Sequence, residues 1–157
     1  MTVKDASWLG QYLGSKKKVL ILAGALCDQI EFEGKSLLDY VVEISRKIKA
    51  PVAATGNTVN GLRDRGMDTG KAWAAEVVNF MRYEWHYPLI DGKPEVLVFM
   101  GYSPILTANL ASAVSDAESV SLGSTYVEAA TYSLPDVNSF KEWQKELTTL
   151  VQVLEKS

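Results

Sequence analysis

The sequence predicts an α/β fold: a three-layer sandwich built around a mostly parallel sheet of five or six strands. Three observations point to it. Short apolar runs recur at wide intervals, at Val19–Ala23, at residues 51–54 (Pro-Val-Ala-Ala) and at Val96–Met100. These runs are continuously apolar rather than alternating, as in strands buried on both faces, the usual condition of parallel strands. Between them lie stretches with the three-to-four-residue apolar spacing of helices, so strand and helix alternate as in right-handed βαβ units.

Taken in order, an opening helix over residues 6–13 presents Trp8, Leu9 and Tyr12 for docking. The first strand follows a lysine triplet and ends at Gly24. Residues 34–49 place Leu37, Val41, Ile44 and Ile48 on one helical face, widened by Leu38 and Val42. The second strand begins at Pro51, a position where the missing N–H costs no ladder bond, and ends at Thr55-Gly56. Residues 69–85 read as one helix with Trp73, Val77, Phe80 and Met81 on its apolar stripe. After the third strand, Ser103-Pro104 reads as an N-cap followed by proline at the first helical position, opening a helix to residue 114. Residues 119–122 and 129–132 are weaker strand candidates. The link between them is too short for a helical crossover, so the last strand either crosses tightly or runs antiparallel at an edge. The final helix carries Phe140, Trp143, Leu147, Leu150, Val151 and Leu154 on one face, with capping-box spacing between Ser139 and Glu142.

The bulk properties bound the function. A chain of 157 residues, 47% hydrophobic and 22% charged, suits one globular domain over residues 1–157, opened by a docking helix. A net charge of −3 gives no general attraction to nucleic acid. With one cysteine, Cys27, and one histidine, His86, the chain assembles neither a disulfide framework nor a cysteine-ligated cluster of its own. The longest apolar run, Val19 to Cys27, falls far short of the ~20 residues a membrane helix needs. A cytoplasmic protein with no membrane contact is expected.

Ligands of open parallel sheets bind beyond the carboxyl ends of the strands, where strand order reverses. The candidate cofactor-binding residues are therefore in the post-strand loops: Gly24 and Ala25; Thr55, Gly56 and Asn57; Gly101, Tyr102 and Ser103; and Gly123 with Ser124. Small and hydroxyl residues there let backbone N–H groups approach an anion, and the Ser103-Pro104 helix start aims a positive dipole end into the crevice. Plain turns need the same glycines, and both readings stand. The usual dinucleotide fingerprint is missing, because Asp28, Glu31 and Glu33 follow Gly24 before the next glycine, Gly34. Gly70-Lys71 resembles the end of a phosphate-binding loop, yet Arg65 stands at the first glycine position and Ala72 at the hydroxyl position. The stretch from Gly56 to Lys71 reads as a solvated loop whose Arg63, Arg65 and Lys71 are free to pair with phosphate or carboxylates. No catalytic residue and no metal ligand emerges. Cys27 lacks a neighbouring histidine, and nothing visible orients His86 as a base. The aromatic stretch containing Tyr83, Trp85, His86 and Tyr87 either covers a core edge or forms a partner interface.

The order Lys17-Lys18-Val19-Leu20-Ile21-Leu22-Ala23-Gly24, a helix, Ala50-Pro51-Val52-Ala53-Ala54-Thr55, then Val96-Leu97-Val98-Phe99-Met100-Gly101 resembles the central domain of thiamine-diphosphate enzymes. That domain is the DHS-like NAD/FAD-binding fold, a Rossmann-like arrangement that some relatives use to hold FAD. A free-standing version of this size is similar to the epsilon subunit of the archaeal carbon monoxide dehydrogenase/acetyl-CoA synthase (decarbonylase) complex. The resemblance implies a partner, the large nickel–iron–sulfur alpha subunit, in an α2ε2 component. It implies an accessory role in stabilising that component or passing electrons to FAD, and leaves an independent flavin- or nucleotide-binding module as the alternative. Pairing with a second copy through a helix face is also expected for so small a chain.

Overall fold

The computed structural model describes residues 2–85 and 90–156. Six strands, β1 (Val19–Ala23), β2 (Val52–Ala54), β3 (Gly70–Lys71), β4 (Val96–Met100), β5 (Glu118–Ser121) and β6 (Tyr132–Ser133), form one sheet in the order β3-β2-β1-β4-β5-β6. Every neighbouring pair is parallel, so the fold is a Rossmann-like α/β sandwich, in the class expected. Strand order reverses between β1 and β4, whose registers run from Val19 opposite Val96 to Ala23 opposite Met100.

The helices are α1 (Ala6–Gly14), α2 (Leu37–Ile48), α3 (Thr58–Asp64), α4 (Ala74–Arg82), α5 (Pro104–Ala113) and α6 (Phe140–Glu155). Alternate residues of the central strands face opposite layers, as the two-residue pleat requires. Val19, Ile21 and Ala23 with Val96, Val98 and Met100 pack under α1, α2, α3 and α6. Leu20, Leu22, Leu97 and Phe99 pack under α4 and α5. All ten side chains of β1 and β4 are buried, which explains why these strands read as unbroken apolar runs.

Local chemistry sets the helix ends. Ser36 and Asp39 form a reciprocal capping box at the start of α2, and Lys49 ends it in the left-handed region at φ 56°. Ser103 accepts a hydrogen bond from Leu106 N at the start of α5, and Ser139 accepts one from Glu142 N at the start of α6. In α6 the Glu142 carboxylate accepts from Asn138 N, one residue before the cap position.

Four sequence expectations are corrected. Residues 69–85 are not one helix: Gly70–Lys71 joins the sheet as β3, and α4 begins only at Ala74. The Thr69 hydroxyl bonded to Val52 O and Ala72 N bonded to Ala54 O (2.9 Å) hold that segment extended. A two-residue strand has no periodicity to read, whereas the stripe of α4 extends on paper through it. Trp73, placed on that stripe, lies before the helix and is 68% exposed. The stretch from Gly56 to Lys71 contains α3 rather than loop alone, with Val59 and Leu62 buried. The last strand lies at Tyr132–Ser133, and Ala129 and Ala130 precede it in a turn. It is parallel to β5, which the helix-free connection permits because Thr131 and Ser119 exchange side-chain-to-backbone bonds (2.9 and 3.0 Å) that carry the chain tightly across. Beyond β6, Val3 bridges Ser133 in parallel, with Lys4 N donating to Ser133 O and Ser133 N to Thr2 O. The N-terminal segment thereby covers the sheet edge.

Candidate functional site

The switch point between β1 and β4 is where a parallel sheet normally opens for a ligand. Here the two loops close on each other. Gly24 N donates to Met100 O (2.8 Å), Leu26 N to Gly101 O (3.0 Å) and Cys27 N to Gly24 O (3.0 Å), so these donors are occupied within the protein. A Cβ on Gly24 would fall 2.6 Å from the Tyr102 ring, and one on Gly101 would strike Cys27 Sγ. Gly101 also has φ +85°, where a side chain is strained. These two glycines permit close packing of backbone on backbone.

Cys27 sits in a 3-10 turn over Ala25–Asp28 and is fully buried. Burial, reinforced by the nearby Asp28 charge, pushes its thiol up to about 12, and Sγ–H points at Met100 O (3.5 Å). A thiol so held is a weak nucleophile at neutral pH. Tyr102 packs edge-on against Phe99 (6.2 Å between centroids), and its hydroxyl is buried without a hydrogen-bond partner among the described residues. Burial raises its phenol, with the Cys27 sulfur adding to the effect.

This junction divides the crevice in two. On the β1–β2 side, Ala25, Asp28, Gln29, Thr55, Gly56, Asn57, Gly61 and Trp73 surround an open cleft of about 560 Å³. A Cβ at Gly56 would meet nothing within 4 Å, so that glycine serves its positive φ of 48° and leaves space above it. Asp28 is oriented by the Thr58 hydroxyl (2.8 Å). On the β4–β5 side, Gly101, Tyr102, Ser121, Gly123, Ser124 and Thr125 share a cavity of only about 100 Å³ with Thr107, Phe140 and Trp143. Small-molecule sites typically enclose ~300–1,000 Å³, so only the β1–β2 cleft has the capacity for a nucleotide-sized group.

The predicted candidates thus fall into separate places. Ala25, Thr55, Gly56 and Asn57 share the cleft; Gly101, Tyr102, Gly123 and Ser124 share the cavity; Gly24 lies in the packed junction between them, and Ser103 caps α5. Sequence reasoning missed Trp73 as a cleft wall. The available signal was Glu76, whose carboxylate accepts from Trp73 N (3.3 Å) as an N3 cap and marks the helix start just after the indole. Arg65, expected in solvent, instead donates to Asp39 Oδ1 (2.8 Å) and Gly61 O (2.9 Å), joining α3 to α2. Of the aromatic stretch, Tyr83 is 71% exposed, while Trp85 is half-buried, packs edge-on against Phe80 and donates to Ile90 O (3.1 Å). His86 and Tyr87 lie outside the described residues. Among the described residues, no three His, Cys, Asp or Glu side chains converge as a metal site, and no helix is long and apolar enough to cross a membrane.

No protein-family model matches the chain. Among curated proteins it is similar to the acetyl-CoA decarbonylase/synthase complex subunit epsilon 2 of Methanosarcina mazei, at 24% identity over 136 residues. That alignment covers 83% of this chain and 76% of the relative. It is also similar to subunit epsilon 1 of the same complex from Methanosarcina barkeri, at 24% over 147 residues, covering 90% of this chain and 82% of the relative. The similarity is distant, and each alignment spans more than four-fifths of this chain.

Proposed function

We propose that this chain is a non-catalytic accessory subunit of a complex of the acetyl-CoA decarbonylase/synthase type. In this reading it is the epsilon-like partner of a large nickel–iron–sulfur alpha subunit in an α2ε2 carbon monoxide dehydrogenase component. It stabilises that component and assists electron transfer to FAD. The observation that carries the reading is similarity to two epsilon subunits over 83% and 90% of the chain. The chemistry of the chain is consistent with it. The single thiol is buried with a raised pKa, and one cysteine and one histidine leave cluster ligation to an associate. The test is reconstitution of the purified chain with a purified alpha subunit. A stable one-to-one assembly whose CO-oxidising activity survives heating longer than that of alpha alone is expected. Failure to co-elute with alpha at micromolar concentrations sinks the proposal.

A second reading, an independent flavin- or nucleotide-binding module in the DHS-like NAD/FAD-binding family, is favoured by the cleft beside Trp73. An exposed indole offers a stacking surface for a planar ring. Asp28 suits ribose hydroxyls better than phosphates, which its charge repels. Whole FAD would also have to pass the packed junction at Gly24 and Gly101, so the fit is best for one planar group and its sugar. Ligand at 100 times its dissociation constant stabilises by about 2.7 kcal/mol, readily seen as a rise in Tm. FAD, NAD and adenosine are each added at millimolar concentration, and Trp73→Ala is expected to abolish any shift. No shift with any of the three removes this reading.

A further inference from the structure

We propose that the cavity beyond β4 and β5 binds a short-chain monocarboxylate, held by the Ser121 hydroxyl and the backbone amides of Gly123, Ser124 and Thr125. This site stands apart from the Trp73 cleft and from the subunit reading, and needs neither. Its starting point is Ser121. Eight serine and threonine side chains are buried among the described residues, and seven of them are hydrogen-bonded. Ser121 is the eighth: it is 2% exposed, and its Oγ has no partner among the described residues. It lines the cavity beside Gly123, where an added Cβ would lie 3.7 Å from Oγ. Ser119, two residues earlier on the same face of β5, shows the contrast, because its hydroxyl accepts from Thr131 N (3.0 Å). An unpaired buried hydroxyl costs stability, so a group that enters the cavity and bonds to it accounts for Ser121.

The surroundings select a carboxylate. Gly123 N, Ser124 N and Thr125 N have no acceptor among the described residues, although Leu122 N and Tyr126 N on either side are bonded to Phe99 O and Asp136. Successive free donors and a hydroxyl suit an oxyanion. The first turn of α5 adds its positive end through Pro104 and Thr107, whereas at the start of α6 Glu142 already takes that place. Among the described residues, neither an acidic nor a basic side chain lines the cavity. These dipoles can hold a single negative charge, but a phosphate dianion needs a cationic partner. Much of the remaining wall is apolar, with Leu26, Ile30, Phe140 and Trp143, and it suits a hydrocarbon tail that an inorganic anion lacks. Size sets the length of that tail. A cavity of ~150 Å³ takes benzene, so one of about 100 Å³ takes about four or five non-hydrogen atoms, a carboxylate with one or two further carbons.

Titration of the full chain with sodium propionate, followed by its assigned amide resonances, tests this. The titration runs to about 50 mM, because a ligand of so few atoms binds in the micromolar to millimolar range. Saturable shifts at Gly123, Ser124 and Thr125 are expected. Propionamide, the neutral counterpart, and sodium chloride at equal ionic strength are expected to produce none. Ser121→Ala removes an unpaired hydroxyl, so its Tm is expected to hold or rise while the dissociation constant increases about tenfold, the loss of one charge-assisted hydrogen bond. Gly123→Ala adds a methyl in ordinary contact with Ser121 Oγ and is expected to abolish the shifts in a chain that still folds. The absence of saturable shifts in wild type up to that concentration overturns the proposal and leaves Ser121 to water. Equal shifts with propionamide, tighter binding of inorganic phosphate, or undiminished affinity in both variants overturns it as well.

Discussion

Gly101 and Cys27 meet across the switch point, and their contact sets the chemistry of both. The sulfur occupies the space a Cβ at Gly101 would take, and the same packing removes water from the thiol and raises its pKa. Gly101→Ala therefore combines a strained positive φ with overpacking against buried sulfur and backbone. A loss of about 1–3 kcal/mol is expected, read from the shift of the urea midpoint at unchanged m-value. Glycine after a strand was legible as a position needing freedom. Whether that freedom admits a ligand or a neighbouring loop depends on what faces it, and here Cys27 faces Gly101 and Tyr102 faces Gly24, each from the opposite loop of the switch point.

At the scale of elements, the long helices were legible because burial on one face imposes a repeat on the sequence. Leu37, Val41 and Ile44 in α2 and Trp143, Leu147, Leu150 and Leu154 in α6 are all buried, as their spacing requires. Phe140 has the right spacing and yet is 54% exposed, because it stands at the first residue of α6, beyond the core and over the β4–β5 cavity. The short elements β3 and α3 escaped because neither is long enough to repeat. They are held by polar contacts to distant parts of the same chain, of which Arg65 to Asp39 is the clearest (2.8 Å). Desolvation pushes the Asp39 carboxyl up, but hydrogen bonds from Arg65 and Ser36 outweigh it and hold the group below its usual range. A carboxyl depressed in the folded state stabilises the fold above its unfolded pKa of ~3.9 and loses that contribution as pH falls through the lower folded value. Asp39→Asn is expected to cost no more than about 1 kcal/mol at pH 7, since the pair is partly exposed. The difference in Tm between variant and wild type is expected to narrow as pH drops below about 4.

For the whole molecule, the two ends of the chain complete one layer. Helix α1 packs against α6 through Leu9 and Leu13, and the close fit includes Gly10, where a Cβ would fall 2.9 Å from a Val153 methyl. Trp8, Tyr12 and Tyr132 cluster beside this contact, with the Lys4 ammonium 4.6 Å from the Trp8 ring centre. Removing residues 1–14 strips two fully buried leucines, at about 1.5–3 kcal/mol each, and uncovers the β6 edge. Against a total stability of ~5–15 kcal/mol this is a large fraction. The truncated chain is expected to unfold at much lower denaturant and to aggregate, measured by urea titration and light scattering.

The sequence by itself determined the sandwich, its central strands and its principal helices, because burial on two faces or one writes a pattern into neighbouring residues. It also determined that the chain has one cysteine and one histidine, which is composition alone. Only the tertiary structure decided that the strand-end loops form two separate hollows rather than one crevice, that Trp73 walls the larger of them, and that Arg65 is paired within the chain. Those outcomes depend on which side chains distant segments bring together, and residue spacing carries no record of that.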